Sequence, residues 1–142
     1  MSSNDAVVRV TREWVIIAES DLKTAIHTLT LNDECPTDTV CFHAQQCVEK
    51  YVKAFLTLQG VVFPKTHDIE ELFRLLPRDL QAVLPIEHQR GLTRYATVTR
   101  YPGMYDPVTL RQARLAVAMA RKVRQGIRRL LPREAKPRKN RQ

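Results

Sequence analysis

Cys41-Phe42-His43-Ala44-Gln45-Gln46-Cys47-Val48-Glu49-Lys50-Tyr51-Val52-Lys53-Ala54-Phe55-Leu56 is the stretch on which the fold turns. Cys41, Ala44, Val48, Tyr51, Phe55 and Leu58 recur at steps of three and four, which brings them onto one side of an α-helix. Gln46, Glu49, Lys50 and Lys53 follow three-one-three steps and form a second, polar stripe on the same rod. Thr37 or Asp38 can cap the start, and Gly60 supplies a stop after Gln59. At a rise of ~1.5 Å per residue, about 22 residues make a rod of roughly 33 Å. A rod with one apolar stripe is stable only against other elements that bury it.

The flanking sequence supplies those elements. Upstream, Trp14, Ala18, Leu22, Ala25 and Leu29 recur at helical spacing between Thr11 and about Leu31. Asn32 to Thr37, with Asp33 and Pro36, interrupts the pattern as a loop. Downstream, Asp68 with Glu71 makes a capping-box-like start for a short helix over Ile69 to Leu76. Pro77 and Pro85 bracket a further short piece around Leu80 to Leu84, and Ile86 to Arg100 reads as another helix. Thr109 opens a last long helix with Leu110, Ala113, Val117, Ala120, Val123 or Arg124, Ile127 and Leu131 at helical spacing, ended by Pro132. No stretch alternates at period two. The expectation is an all-α, antiparallel, up-and-down bundle of four to five helices. Residues 1–10 read as a flexible N-terminus, 11–131 as the helical domain and 132–142 as a disordered, mobile basic tail.

Composition bounds the function. The chain has 142 residues, 44% of them hydrophobic and 27% charged, which fits one domain with a real core. No apolar run approaches the ~20 residues that span a bilayer, and the first ten residues lack the parts of a secretory signal. Cys35, Cys41 and Cys47 cannot all pair, so they read as reduced thiols of a cytoplasmic protein, with no membrane partner. The net charge of +8 is unevenly spread: residues 1–108 carry 11 Lys/Arg against 14 Asp/Glu, whereas residues 109–142 carry 12 against Glu134 alone. Such a basic last quarter reads either as a solvated face and tail or as a surface for a polyanion.

Most familiar chemistry is missing. The four glycines fit no phosphate-cradling motif, and His43 with Cys47, four apart on one helix face, makes neither a metal site nor an activated nucleophile. No metal and no cofactor is expected. Three polar clusters remain: the Gln46 stripe; Lys65-Thr66-His67-Asp68, where capping accounts for Asp68 but not for Lys65 or His67; and Thr99-Arg100-Tyr101-Pro102-Gly103-Met104-Tyr105-Asp106. An arginine beside phenols can hold a phosphate and stack on a base, and tyrosines can equally seal the end of a bundle with their hydroxyls in water.

Taken together, these segments resemble the HEPN family. The run from Cys41 to Leu56 is similar to that family's "FHAQQAAEKALKALL", Lys65-Thr66-His67-Asp68-Ile69 to its "KTHDL", and Arg100-Tyr101-Pro102 to its "RYP". The resemblance covers about Trp14 to Leu131. It implies a bundle of four or five helices, commonly a homodimer, and a partnership with minimal nucleotidyltransferases, often in toxin–antitoxin pairs. It also implies, in many members, metal-independent RNA cleavage through an Arg-x4–6-His motif, the histidine moving a proton at the 2′-hydroxyl and the arginine steadying the phosphate.

This sequence departs from that last feature. None of His27, His43, His67 or His88 follows an arginine at the required distance, and five residues beyond Arg100 stands Tyr105, whose phenol has an ordinary pKa near 10. The expected function is therefore a binding module for a nucleotide or RNA phosphate, its rim built from Gln46, Glu49, Lys50, Lys53, Lys65, His67, Asp68, Arg100, Tyr101 and Tyr105. The alternatives are a divergent endoribonuclease using Arg100 with Tyr105 or His67, and a helical scaffold without chemistry. The binding reading requires that the segments near Gln46, Lys65 and Arg100 converge.

Overall fold

The computed structural model describes residues 3–97 and 107–137. Among them run six α-helices and no strand: α1 (Ser3–Leu29), α2 (Thr37–Leu58), α3 (Ile69–Phe73), α4 (Arg78–Gln81), α5 (Ile86–Thr97) and α6 (Leu110–Arg128). Helix α2 is the central rod. It packs most extensively on α1, then on α6 and α5, and so forms the middle of the bundle. Val40, Cys41, Ala44, Val48, Tyr51, Val52, Phe55 and Leu56 are buried along it, joined by Val15, Ala18, Leu22 and Ala25 of α1 and by Ala113, Val117, Ala120, Val123 and Ile127 of α6. Small residues dominate the α1 and α6 faces, which lets three rods approach closely.

Helix ends follow local chemistry. The Asp68 carboxylate accepts from the Glu71 amide at 3.1 Å and starts α3, as the sequence suggests. Thr109 and Gln112 cap α6 reciprocally, Thr109 Oγ1 accepting from the Gln112 amide and Gln112 Oε1 from the Thr109 amide. At α2, neither Thr37 nor Asp38 acts as a side-chain cap; Pro36 occupies the position, and the Thr37 hydroxyl donates instead to the Val108 carbonyl at 2.7 Å. Gly60, with a φ of 70°, takes the left-handed conformation that ends α2.

Structure reaches close to both ends of the described residues. Helix α1 begins at Ser3 rather than near Thr11, and Val8 packs against the core. Beyond Pro132 the chain makes a 3-10 turn, Arg133–Ala135, that packs on α1 and fully buries Ala135. One alanine is enough to dock a segment otherwise made of charges and prolines. None of the helices described is long and apolar enough to cross a membrane.

Candidate functional site

Polar residues on a helix of this length are ordinarily wet, yet Glu49 and Gln45 on α2 are 0% exposed and Lys53 only 7%. A buried carboxylate needs partners, and Glu49 has four. Its Oε1 meets His67 Nδ1 at 2.7 Å and accepts from Gln45 Nε2 at 3.1 Å. Its Oε2 accepts from Lys50 Nζ at 3.0 Å and from Lys53 Nζ at 3.1 Å. Burial alone would push the Glu49 carboxyl up, but the hydrogen bonds from His67, Lys50 and Lys53 and the charge of Lys50 outweigh it and hold the group down at about 2.

A second tier fixes these groups. Lys50 Nζ also donates to Gln46 Oε1 at 2.7 Å, and Gln46 Nε2 donates to Gln45 Oε1 at 2.6 Å. Gln45 Nε2 reaches the His67 carbonyl at 3.4 Å, tying the loop before α3 to α2. Lys53 Nζ stands 5.7 Å from the Trp14 ring centroid and 6.0 Å from that of Phe63, and the two rings meet edge-on. One carboxylate thus faces two ammonium groups and an imidazole. The local excess is positive, and its outer edge is the side chain of His67, 59% exposed, with exposed Lys65 two residues earlier.

The predicted residues therefore divide. Gln46, Glu49, Lys50, Lys53 and His67 form one connected network. Asp68 serves as the cap of α3, and Lys65 is exposed beside the network. Arg100, Tyr101 and Tyr105 lie outside the described residues. Sequence reasoning passed over Gln45, Trp14 and Phe63 as members; the four-residue steps Gln45–Glu49–Lys53 were a signal for the first.

On the other flank of α2 stands a separate polar knot. The Tyr51 hydroxyl donates to Glu19 Oε2 at 2.7 Å, and Arg124 grips the same carboxylate with two bonds, Nε to Oε2 at 2.7 Å and Nη2 to Oε1 at 2.9 Å. Arg128 Nη1 sits 3.5 Å from Glu19 Oε1. Burial works to raise the Glu19 carboxyl, but the bonds from Arg124 and Tyr51 hold it below its usual range. His43 pairs with Asp21 at 2.8 Å, and burial, seconded by the Glu19 and Asp21 charges, pushes the Cys47 thiol up and favours its protonated form. No three His, Cys, Asp or Glu side chains gather as a metal-binding group among the described residues.

The comparisons with known proteins bear on this arrangement. The family model described as the HEPN domain matches residues 11–130, nearly the whole described chain. The chain belongs to the HEPN family. Its fold is similar to the crystal structure of an archaeal HEPN homologue, with a TM-score of 0.68 and 26% identity over 86% of this chain and 98% of that one. It is also similar to a Thermus thermophilus protein of known structure, with a TM-score of 0.67 and 28% identity over 84% and 96% of the two chains. A curated relative, the "Putative toxin MJ1304" of Methanocaldococcus jannaschii, is 39% identical over 67 residues, 47% of this chain and 41% of that protein. The match thus spans less than half of that relative's length. In HEPN terms, two of the three motif segments meet here: the helix with Gln46 and Glu49, and the loop with His67.

Proposed function

We propose that this HEPN chain acts in a toxin-like role as a binding module for the phosphate of a nucleotide or RNA, as the partner of a minimal nucleotidyltransferase and as a homodimer in the cytoplasm. The observation that carries the binding reading is the charge balance around Glu49: a single buried carboxylate is surrounded by Lys50, Lys53 and His67, with Lys65 at the rim. An anion approaching this edge meets positive charge fixed in place before it arrives, so little ordering is lost on binding. The toxin-like role rests on the family and on the similarity to MJ1304. Calorimetric titration with ATP, GTP and a short RNA tests it. Binding is expected with at least one of them and is expected to fall tenfold or more in His67→Ala and Lys65→Ala; silence with all three would leave a scaffold.

The His67 geometry supports a second reading, metal-independent RNA cleavage. A carboxylate 2.7 Å from Nδ1 orients the ring and leaves its other nitrogen free to take a proton. RNA incubated with the protein in EDTA decides between the two: cutting that His67→Ala abolishes favours the enzyme, and intact RNA with retained binding favours the module.

A further inference from the structure

The basic last quarter of the chain resolves into two populations on α6. Arg124 and Arg128 are half-buried and turned onto Glu19. Arg111, Arg114, Arg121, Lys122 and Arg129 are exposed and have no hydrogen bond or ion pair among the described residues. The first pair is structural. The other five stand unneutralised along one helix and its C-terminal cap, and the helix carries no Asp or Glu at all.

Their spacing is ordered. At ~100° per residue, Arg114 and Arg121 fall in one column and Arg111, Lys122 and Arg129 in another, roughly 80° apart. Exposed Ala118 and Gln125, both uncharged, lie between the columns. From Arg111 to Arg129 the array is about 27 Å long, with seven-residue steps of about 10.5 Å. The opposite side of α6 is docked on α2.

We infer that this face of α6 is a docking surface for the backbone of double-helical nucleic acid, bound without reading the bases. Four of the five cations are arginines, whose forked donors match phosphate oxygens. Helix α6 has no aromatic residue on which an unpaired base could stack, which single-strand binders use, whereas a duplex keeps its own bases stacked and presents phosphates alone. An acidic protein fits less well. Protein interfaces centre on apolar residues and are depleted in charge there, and between these columns only Ala118 is apolar, with Leu115 at the margin. The surface is distinct from the Glu49 cluster. Tyr51, which meets Arg128, stands two residues from Glu49 on α2, about 160° around the rod.

Fluorescence anisotropy of the full chain with a labelled 20-base-pair duplex, over 50–200 mM salt, tests the inference. Each phosphate contact contributes about −0.9 to the slope of log K against log salt. The triple variant Arg114→Gln/Arg121→Gln/Arg129→Gln is expected to flatten that slope by about 2–3 and weaken binding tenfold or more at 100 mM salt. Its melting temperature and nucleotide titration are expected to match wild type, since these side chains touch neither the core nor the Glu49 cluster. The variant Lys23→Gln/Arg74→Gln/Arg78→Gln removes the same charge elsewhere and is expected to stay within about twofold of wild type. Equal losses in the two triples would reduce the effect to net charge and overturn the inference. So would a single strand that binds as tightly as the duplex, or polyglutamate that displaces the duplex at matched charge.

Discussion

Glu49 shows how one residue can be both costly and indispensable. Taken out of water alone, its charge would be strongly unfavourable, and the cations gathered around it are themselves nearly buried: the side chains of Lys50 and Lys53 are 15% and 9% exposed. Removing the carboxylate would leave those ammonium groups without their counter-ion, and that loss exceeds the one bond each makes to Glu49. Glu49→Gln is expected to destabilise the fold by about 2–4 kcal/mol at pH 7, read by urea unfolding. The pH dependence has a definite sign. The folded carboxyl lies at about 2 against an ordinary 4.5, so its contribution is complete above about pH 5 and disappears as pH falls through 4.5 toward 2. The stability gap between wild type and Glu49→Gln should therefore be widest at neutral pH and narrow below about pH 4. A gap that stays constant with pH would mean that the substitution acts through packing rather than charge.

At the scale of elements, α2 organises the molecule by presenting different chemistry on each flank. Its apolar stripe could be read from spacing, and so could the other long helices, because an interval of three and four is a direct imprint of helix geometry. The stripe Gln46–Glu49–Lys50–Lys53 was also visible, but its burial was not: it depends on Phe63 and His67 arriving over it from a loop that has no period to read. The Glu19 knot was hidden for a similar reason, since Arg124 is 105 residues away in sequence. That knot ties α1, α2 and α6 together. A double-mutant cycle of Glu19→Ala with Arg124→Ala should return a coupling of about 1–2 kcal/mol, modest because both side chains are partly solvated, yet above a surface pair because the grip is two-pronged. Helix α6 also carries an unused gain. A Cβ on Gly126 would meet Val83 Cγ2 at 3.4 Å and Leu80 Cδ2 at 3.7 Å, which is ordinary contact, among the apolar side chains of Phe73, Leu76, Val123 and Ile127. Gly126→Ala should therefore stabilise the fold by about 0.5–1 kcal/mol through helix propensity, raising the melting temperature by a few degrees. A fall would show that Val83 cannot yield the space.

For the whole molecule, the charge asymmetry that the sequence makes plain acts against the docking that it conceals. Residues 132–142 carry five Lys/Arg against Glu134 alone, and they follow a helix whose outer face is already basic. Like charges brought together destabilise a compact state, more so at low salt. Yet the turn Arg133–Ala135 is held, because Ala135 is fully buried and the turn packs on α1. Removing residues 132–142 therefore has two opposed effects: it forfeits the apolar contact, worth about 1 kcal/mol or more, and it relieves repulsion. The two separate by ionic strength. At 20 mM salt the truncated chain should melt close to wild type, and at 500 mM, where the Debye length falls to roughly 4 Å and repulsion is screened, it should melt several degrees lower. Ala135→Asp in the full chain loses the contact while changing the charge by a single unit, so its penalty should be large at both salt concentrations. If truncation cost nothing at 500 mM while Ala135→Asp remained destabilising, the aspartate itself, rather than loss of the docked turn, would be the source of the damage.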